Sequence, residues 1–210
     1  MALNAADCTY AVLRNYECMF SENPFVNGHN DIDLLCNNPY VVQKTLGTRK
    51  RFLFPTVNSY CIPFKDHSVN VDIRFVGDGY YDATWEKEML TKRVLFNNCI
   101  FVLDPQNYFY SLIYHAILQK RVFSDEYQTK LLSMAKDLGI PCGSPLEFVE
   151  LLEEYMLDHN YYYTVTRDPG IVLKFDGIEK SRIKSNCLWL FKRYVLDLLK
   201  CNRRIAQKYV

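Results

Sequence analysis

Two short apolar stretches carry acid where an interior β-strand would carry only apolar side chains, and this limits what the chain can fold into. The first reads Asn27-Gly28-His29-Asn30-Asp31-Ile32-Asp33-Leu34-Leu35-Cys36, the second Val69-Asn70-Val71-Asp72-Ile73-Arg74-Phe75-Val76. Side chains alternate along a strand, so Asp31 and Asp33 share a face while Ile32 points to the core. Their Cα atoms are expected about 6.5–7 Å apart. Asp72 completes the set from a neighbouring strand. Buried carboxylates are costly unless they are paired or bind a cation. The pattern therefore predicts a divalent metal site on Asp31, Asp33 and Asp72. Oxygen-only ligands suit Mg²⁺ or Mn²⁺. Such ions stabilise phosphoryl-transfer transition states.

Each acid also has an ordinary reading. Asp31 and Asp33 can sit on an exposed loop or cap a helix. Asp72 can pair with Arg74, two residues on and on the same face. Arg74 itself either pairs with these acids or grips a phosphate. Lys120 ends a helical segment, where a cation is stabilised in any case, and a phosphate contact is its alternative. His115 lies on an otherwise apolar helix and reads as a satisfied core histidine. Trp85, Tyr80 and Tyr81 read as core, with stacking on a base or sugar as the alternative.

Pattern and punctuation give the order of elements. Ala2 to Cys8 reads as a short helix, Tyr10 to Arg14 as a strand, and Asn15 to Asn30 as a long loop. Asp31 to Cys36 is the next strand. Asn38-Pro39 starts a helix that stops at Gly47. Arg51–Phe54 and Ser59–Ile62 are short strand candidates, and Asn70 to Val76 ends at the turn Gly77-Asp78-Gly79. Asp82 caps a helix to Arg93, and Ile100 to Leu103 is a strand closed by Asp104-Pro105. Tyr108 to Ile117 follows helical spacing. Ser124 caps a helix to Leu138, and Ser144-Pro145-Leu146-Glu147 reads as a capping box opening a helix to Asp158. Tyr161–Thr166 and Ile171–Phe175 are strand-like around Asp168-Pro169-Gly170. Ser181 to Gln207 reads as an amphipathic helix with a basic outer face. The expected fold class is α+β, a mixed β-sheet core flanked by helices over residues 1–104. A mainly helical part over residues 105–210 is expected to pack on it as one unit.

The chain has 210 residues and a net charge of +1, so global charge gives no argument for a nucleic-acid partner. The charge is uneven: Lys180 to Val210 holds nine basic residues and one acid, leaving 16 basic and 23 acidic residues upstream. Nucleic acid or an anionic surface is thus a minor candidate partner of the basic C-terminal helix. The eight cysteines form no Cys-x-x-Cys pair, and several sit in apolar runs. They read as free thiols of a reducing compartment. With no signal-peptide pattern and no apolar stretch of membrane-spanning length, a cytoplasmic location is expected.

Asp31-Ile32-Asp33 and Val71-Asp72-Ile73 resemble two motifs of the nucleotidyltransferase superfamily, the fold of DNA polymerase β. Leu13-Arg14-Asn15-Tyr16-Glu17, Gly28 to Asp33, Asp72 to Asp82, and Tyr114-His115-Ala116 with Lys120 look like a branch found in bacterial surface-polysaccharide gene neighbourhoods and in large viruses. The resemblance implies a metal-dependent enzyme that moves a nucleoside monophosphate from a nucleoside triphosphate to a hydroxyl acceptor such as a sugar or glycan precursor. It also implies nucleotide contacts from Arg14, Asn15, Gly28, Arg74 and Lys120. The chain departs from the superfamily pattern at one place. No Gly-Ser turn follows the first strand; Arg14-Asn15 stands there, and a guanidinium can replace backbone amides as a phosphate donor.

Two other functions stay open. Asp31-Ile32-Asp33 is also the metal motif of glycosyltransferases that use a nucleotide sugar, although about 30 residues hardly hold the βαβ region such enzymes place before it. A catalytically inactive binding module on the same fold is the third, supported by the missing Gly-Ser turn.

Overall fold

A computed structural model describes residues 2–20, 31–51, 58–64, 67–120, 122–166, 168, 171, 174–175, 177–185, 190–191 and 194–195. Its centre is a seven-stranded mixed sheet. The strands are β1 (Tyr10–Val12), β2 (Asp31–Cys36), β3 (Arg49–Lys50), β4 (Ser59–Phe64), β5 (His67–Phe75), β6 (Val94–Phe96) and β7 (Ile100–Val102), in the spatial order β3-β4-β5-β2-β1-β7-β6. The β2–β5 and β1–β7 pairs are parallel, and the other neighbours are antiparallel. The chain is thus an α+β protein.

The helices that flank the sheet among the described residues include α1 (Pro39–Leu46), α2 (Ala83–Lys92), α3 (Pro105–Ile113), α4 (Asp125–Asp137) and α5 (Phe148–Asp158). Four begin on side-chain caps that the sequence announces. Asn38, Asp82, Asp104 and Ser124 accept N–H bonds from Val41, Thr84, Asn107 and Tyr127. Each satisfies a donor that the first helical turn leaves open. Pro39 and Pro105 occupy the first turn of their helices, where no N–H is needed.

Strand alternation divides the core in two. Tyr10, Val12, Leu34, Cys36, Val71 and Ile73 pack on one face with Leu3 and Val42 of α1. Ala11, Leu13 and Leu35 face the other way, under the side chains of α2 to α5. That second core is aromatic. Trp85 is fully buried, stacks on Tyr161 at 5.5 Å, and donates its indole N–H to Asn107 Oδ1 at 2.7 Å. Truncating a buried side chain of this size typically costs about 3–5 kcal/mol.

Several sequence expectations are corrected. The N-terminal helix is one 3₁₀ turn, Ala2–Ala5, and Tyr16–Phe20 forms another inside the expected loop. Strand β6 was not foreseen. It is turned back on β7 by Asn97 and Asn98, both in the left-handed region (φ 49° and 53°), which asparagine tolerates. Ser144 makes no capping bond; Pro145–Glu147 is a 3₁₀ turn, and Glu147 instead accepts the N–H of Gly143. Strand β8 (Tyr163–Thr164), shorter than the strand-like stretch expected over Tyr161–Thr166, pairs in parallel with β9 (Ile183–Lys184); Ile171–Phe175 lies partly outside the described residues. β9 follows a 3₁₀ turn, Lys180–Arg182, where a long helix was expected to start. Most of that helix, including its basic face, lies outside the described residues, as do Arg51–Phe54 beyond Arg51 itself and residues 21–30. No helix among the described residues is long and apolar enough to cross a membrane.

Candidate functional site

The parallel pairing of β2 and β5 sets Asp33 opposite Asp72 and Asp31 opposite Asn70. Same-face alternation adds Asp31 to the pair. Carboxylate oxygens of Asp31, Asp33 and Asp72 lie within 4.8 Å of one another. The set is graded in depth, with Asp31 exposed, Asp72 half-buried and Asp33 buried. Burial, and then the negative charge of Asp33, raise the Asp72 carboxyl above its ordinary value, against the opposing pull of Arg74. Crowded oxygens with one carboxyl resisting ionisation are a donor set that a hard divalent cation relieves.

Two guanidiniums flank the acids. Arg14 Nε donates to Asp33 Oδ2 at 2.8 Å, and its Nη2 donates to the Tyr80 hydroxyl at 2.8 Å. Burial would lower the Arg14 pKa; the charge of Asp33, together with Tyr80, Tyr81 and Tyr127, outweighs it and holds the guanidinium well above its ordinary value. The next residue, Asn15, has φ 58°. The backbone thus makes, with asparagine, a turn of the kind glycine usually supplies. Its N–H points to the Tyr108 hydroxyl at 3.4 Å.

Arg74 donates from Nη2 to Asp168 Oδ2 at 3.0 Å and lies 4.0 Å from Asp72. It packs over the Tyr80 ring, 4.3 Å from the centroid. Its Nε and Nη1 are buried without a hydrogen-bond partner among the described residues. Buried donors of this kind call for an explanation.

Tyr80 is delivered between the two arginines by the turn after β5. Gly77 and Gly79 both take positive φ (87° and 79°), a conformation open to glycine at little cost. Buried Glu86 closes the turn by accepting the N–H groups of Gly77 and Tyr81 at 2.7 and 3.1 Å. Asp78 accepts the N–H of Tyr80 at 2.8 Å. Burial pushes the Tyr80 phenol up to about 12, so it remains a neutral hydroxyl.

Behind Tyr80 lies a π-helical turn, Tyr114–Gln119, that continues α3. Such turns are frequent at functional sites. His115 Nδ1 lies 2.9 Å from the Tyr80 hydroxyl and 3.2 Å from Gln119 Oε1, and Gln119 Nε2 donates to the Tyr80 carbonyl at 3.0 Å. Burial, then the charges of Arg14 and Lys120, hold His115 well below its ordinary value, so the ring is neutral.

Of the residues singled out in the sequence, Asp31, Asp33, Asp72, Arg14 and Arg74 therefore meet in one place, with Asn15 beside them. Gly28 lies outside the described residues. Lys120 is exposed at the end of the π turn and bonds none of the acids. Tyr80, His115, Gln119 and Asp168 were not foreseen as site residues. The Gln119 amide one turn beyond His115 was the only local signal. The partner of Asp168 is 94 positions away and invisible to pattern reading.

An apolar cavity of about 300 Å³ lies on the opposite face of the sheet, lined by Leu3, Ile32, Leu34, Val71 and Ile100 among others. Ile32 and Leu34 interleave with the two acids of β2, so the cavity is separate from them and offers no polar group for catalysis.

No family model matches the chain, and no curated protein matches it. Among solved structures it is similar to an antigenic nucleotidyltransferase-like protein from Paracoccidioides brasiliensis, with 14% identity, a TM-score of 0.46, and coverage of 75% of this chain and 84% of that one. It is also similar to the antibiotic-resistance factor ANT(2'')-Ia, with 13% identity, a TM-score of 0.41, and coverage of 73% and 84%.

Proposed function

We propose that the chain is a metal-dependent nucleotidyltransferase, moving a nucleoside monophosphate from a nucleoside triphosphate to a hydroxyl acceptor such as a sugar or glycan precursor. The observation that carries this reading is the convergence of Asp31, Asp33 and Asp72 to within 4.8 Å from two parallel strands. The donor set fits Mg²⁺ or Mn²⁺, being all oxygen, partly open to solvent and destabilised by its own crowding. When bound, the metal supplies charge neutralisation at the triphosphate and a lowered pKa for the attacking hydroxyl.

The chain's own residues do the rest. Asp31 and Asp33 form the exposed and buried ends of a seat for the cation. Asp72, whose carboxyl already favours a proton, is suited to accept one from the acceptor hydroxyl. Arg74 offers two buried donors without a partner among the described residues, which fit a phosphate oxygen. Arg14 neutralises one oxygen of Asp33 and restrains its rotation.

The test is pyrophosphate release from each of the four common nucleoside triphosphates with Mn²⁺ and a mixture of sugar acceptors. Release by the native chain, lost in D33N and D72N, supports the reading; release unchanged in both variants refutes it.

The glycosyltransferase reading is disfavoured by topology, because β1 and β2 pair antiparallel, whereas a nucleotide-binding βαβ unit leading into the acids would pair its strands in parallel. The inactive-module reading has one observation in its favour. The Arg14 guanidinium already occupies an oxygen of a candidate ligand. Absence of Mn²⁺ binding would decide for it.

A further inference from the structure

A closed circuit of buried polar groups runs from the acids to the π turn. Asp33 Oδ2 takes Arg14 Nε at 2.8 Å, Arg14 Nη2 reaches the Tyr80 hydroxyl at 2.8 Å, and that hydroxyl lies 2.9 Å from His115 Nδ1. Gln119 returns from the π turn to the Tyr80 carbonyl at 3.0 Å. Every member is at most 6% exposed. The Tyr80 ring is fixed as well, edge-on to Tyr81 at 4.8 Å and under Arg74. A core that needed only apolar filling would not place five polar side chains in one line, because each must be satisfied or costs stability. Nor does the ion pair alone need the chain, since Arg14 reaches Asp33 directly.

What the circuit does is fix a plane. A guanidinium held at two of its nitrogens has one orientation. Held so, it binds one oxygen of Asp33 and stops the carboxylate from rotating. One carboxylate oxygen of Asp33 lies within 4.8 Å of an oxygen of Asp31 and of Asp72; with Oδ2 held by Arg14, Oδ1 would be the oxygen left for a cation. We propose that Tyr80 and His115 are positioning residues of the metal seat, acting through Arg14 to present Asp33 to the cation with one oxygen only. This rests on the metal site proposed above. Second-layer partners of metal ligands commonly act in this way.

The test is titration of the full-length chain with Mn²⁺ alone, followed by the electron paramagnetic resonance of the free ion, in native protein, Y80F, H115Q, H115N and D31N. Asparagine keeps a polar atom near the position of Nδ1, whereas glutamine places its amide near Nε2. The expected result is a 10–100-fold weaker Mn²⁺ affinity in Y80F and H115Q, with H115N within about threefold of native. Native-like affinity in both Y80F and H115Q, with D31N impaired, overturns the positioning role and leaves the metal seat standing. No Mn²⁺ binding by the native chain overturns both. If Y80F does not fold, the contrast between H115Q and H115N decides alone, equal affinities overturning the proposal.

Discussion

Asp33 and Asp72 face each other across two parallel strands, each the acid that interrupts an otherwise apolar run. Neither position is favourable for folding. Asp33 is buried and has an arginine; Asp72 is half-buried, and burial and then repulsion from Asp33 outweigh the help of Arg74 at 4.0 Å and of a Ser59 hydrogen bond. Under the proposed function a bound cation accounts for acids at such positions on neighbouring strands.

Without metal, replacing Asp72 by Asn should therefore stabilise the protein at neutral pH. The folded carboxyl sits above the unfolded value of 3.8, so stability is lost as pH rises through the window between the two and the penalty is complete above it. D72N removes that penalty. A rise in Tm of roughly 2–4 °C per kcal/mol relieved is expected in a domain of this size. An unchanged or lower Tm in the presence of a chelator would show that Asp72 is not strained.

The Arg14–Asp33 pair makes the opposite prediction. Removing Arg14 alone leaves a buried carboxylate without a partner and should cost about 3–5 kcal/mol. D33N in the R14M background should restore much of it, because two neutral groups no longer need each other. A double-mutant cycle in urea measures the coupling; additive single effects would contradict the pairing.

His115 predicts a pH effect of its own. Its folded pKa lies well below the ordinary 6.5, chiefly through burial and then through Arg14 and Lys120. Below pH 6.5 the unfolded chain binds a proton that the folded chain refuses, so stability falls as pH falls, by up to about 1.4 kcal/mol per pH unit. Asp72 and Glu86, both raised by burial, carry the opposite sign. The comparison of H115N with native protein between pH 7.5 and 5.5 isolates the histidine. Parallel stability curves would contradict a neutral, buried ring.

Asn107 joins α2, α3 and α5 through one side chain. It accepts from the Trp85 indole and, at 3.2 Å, from the Tyr155 hydroxyl, and it donates to Asp104 at 2.6 Å. N107L should leave the buried indole N–H unsatisfied and cost about 1–3 kcal/mol or more. Urea unfolding measures it, and a loss below about 0.5 kcal/mol would show that the junction tolerates the change.

Much of this was legible in the sequence for local reasons. The helix starts at Asn38, Asp82, Asp104 and Ser124 are written within four residues each. Alternation alone put Asp31, Asp33 and Ile32 on the correct faces. What was not legible depends on distant partners. Strand β8 finds β9 twenty residues on, and a 3₁₀ turn leading into β9 stands where periodicity suggested the start of a helix. His115 looks like core in sequence because it lies on an otherwise apolar helix, and Tyr80 because packing is the default for an aromatic side chain. Only the fold shows that they point at each other and at Arg14.

The most direct measurement of the central claim is a thermal-shift panel of nucleoside triphosphates and nucleotide sugars, each with and without Mn²⁺, on native protein and on D33N. A ligand at one hundred times its Kd stabilises by about 2.7 kcal/mol. The account predicts a Mn²⁺-dependent rise with a triphosphate that D33N abolishes. Stabilisation by a nucleoside-diphosphate sugar alone, or by a triphosphate equally in D33N, would contradict it.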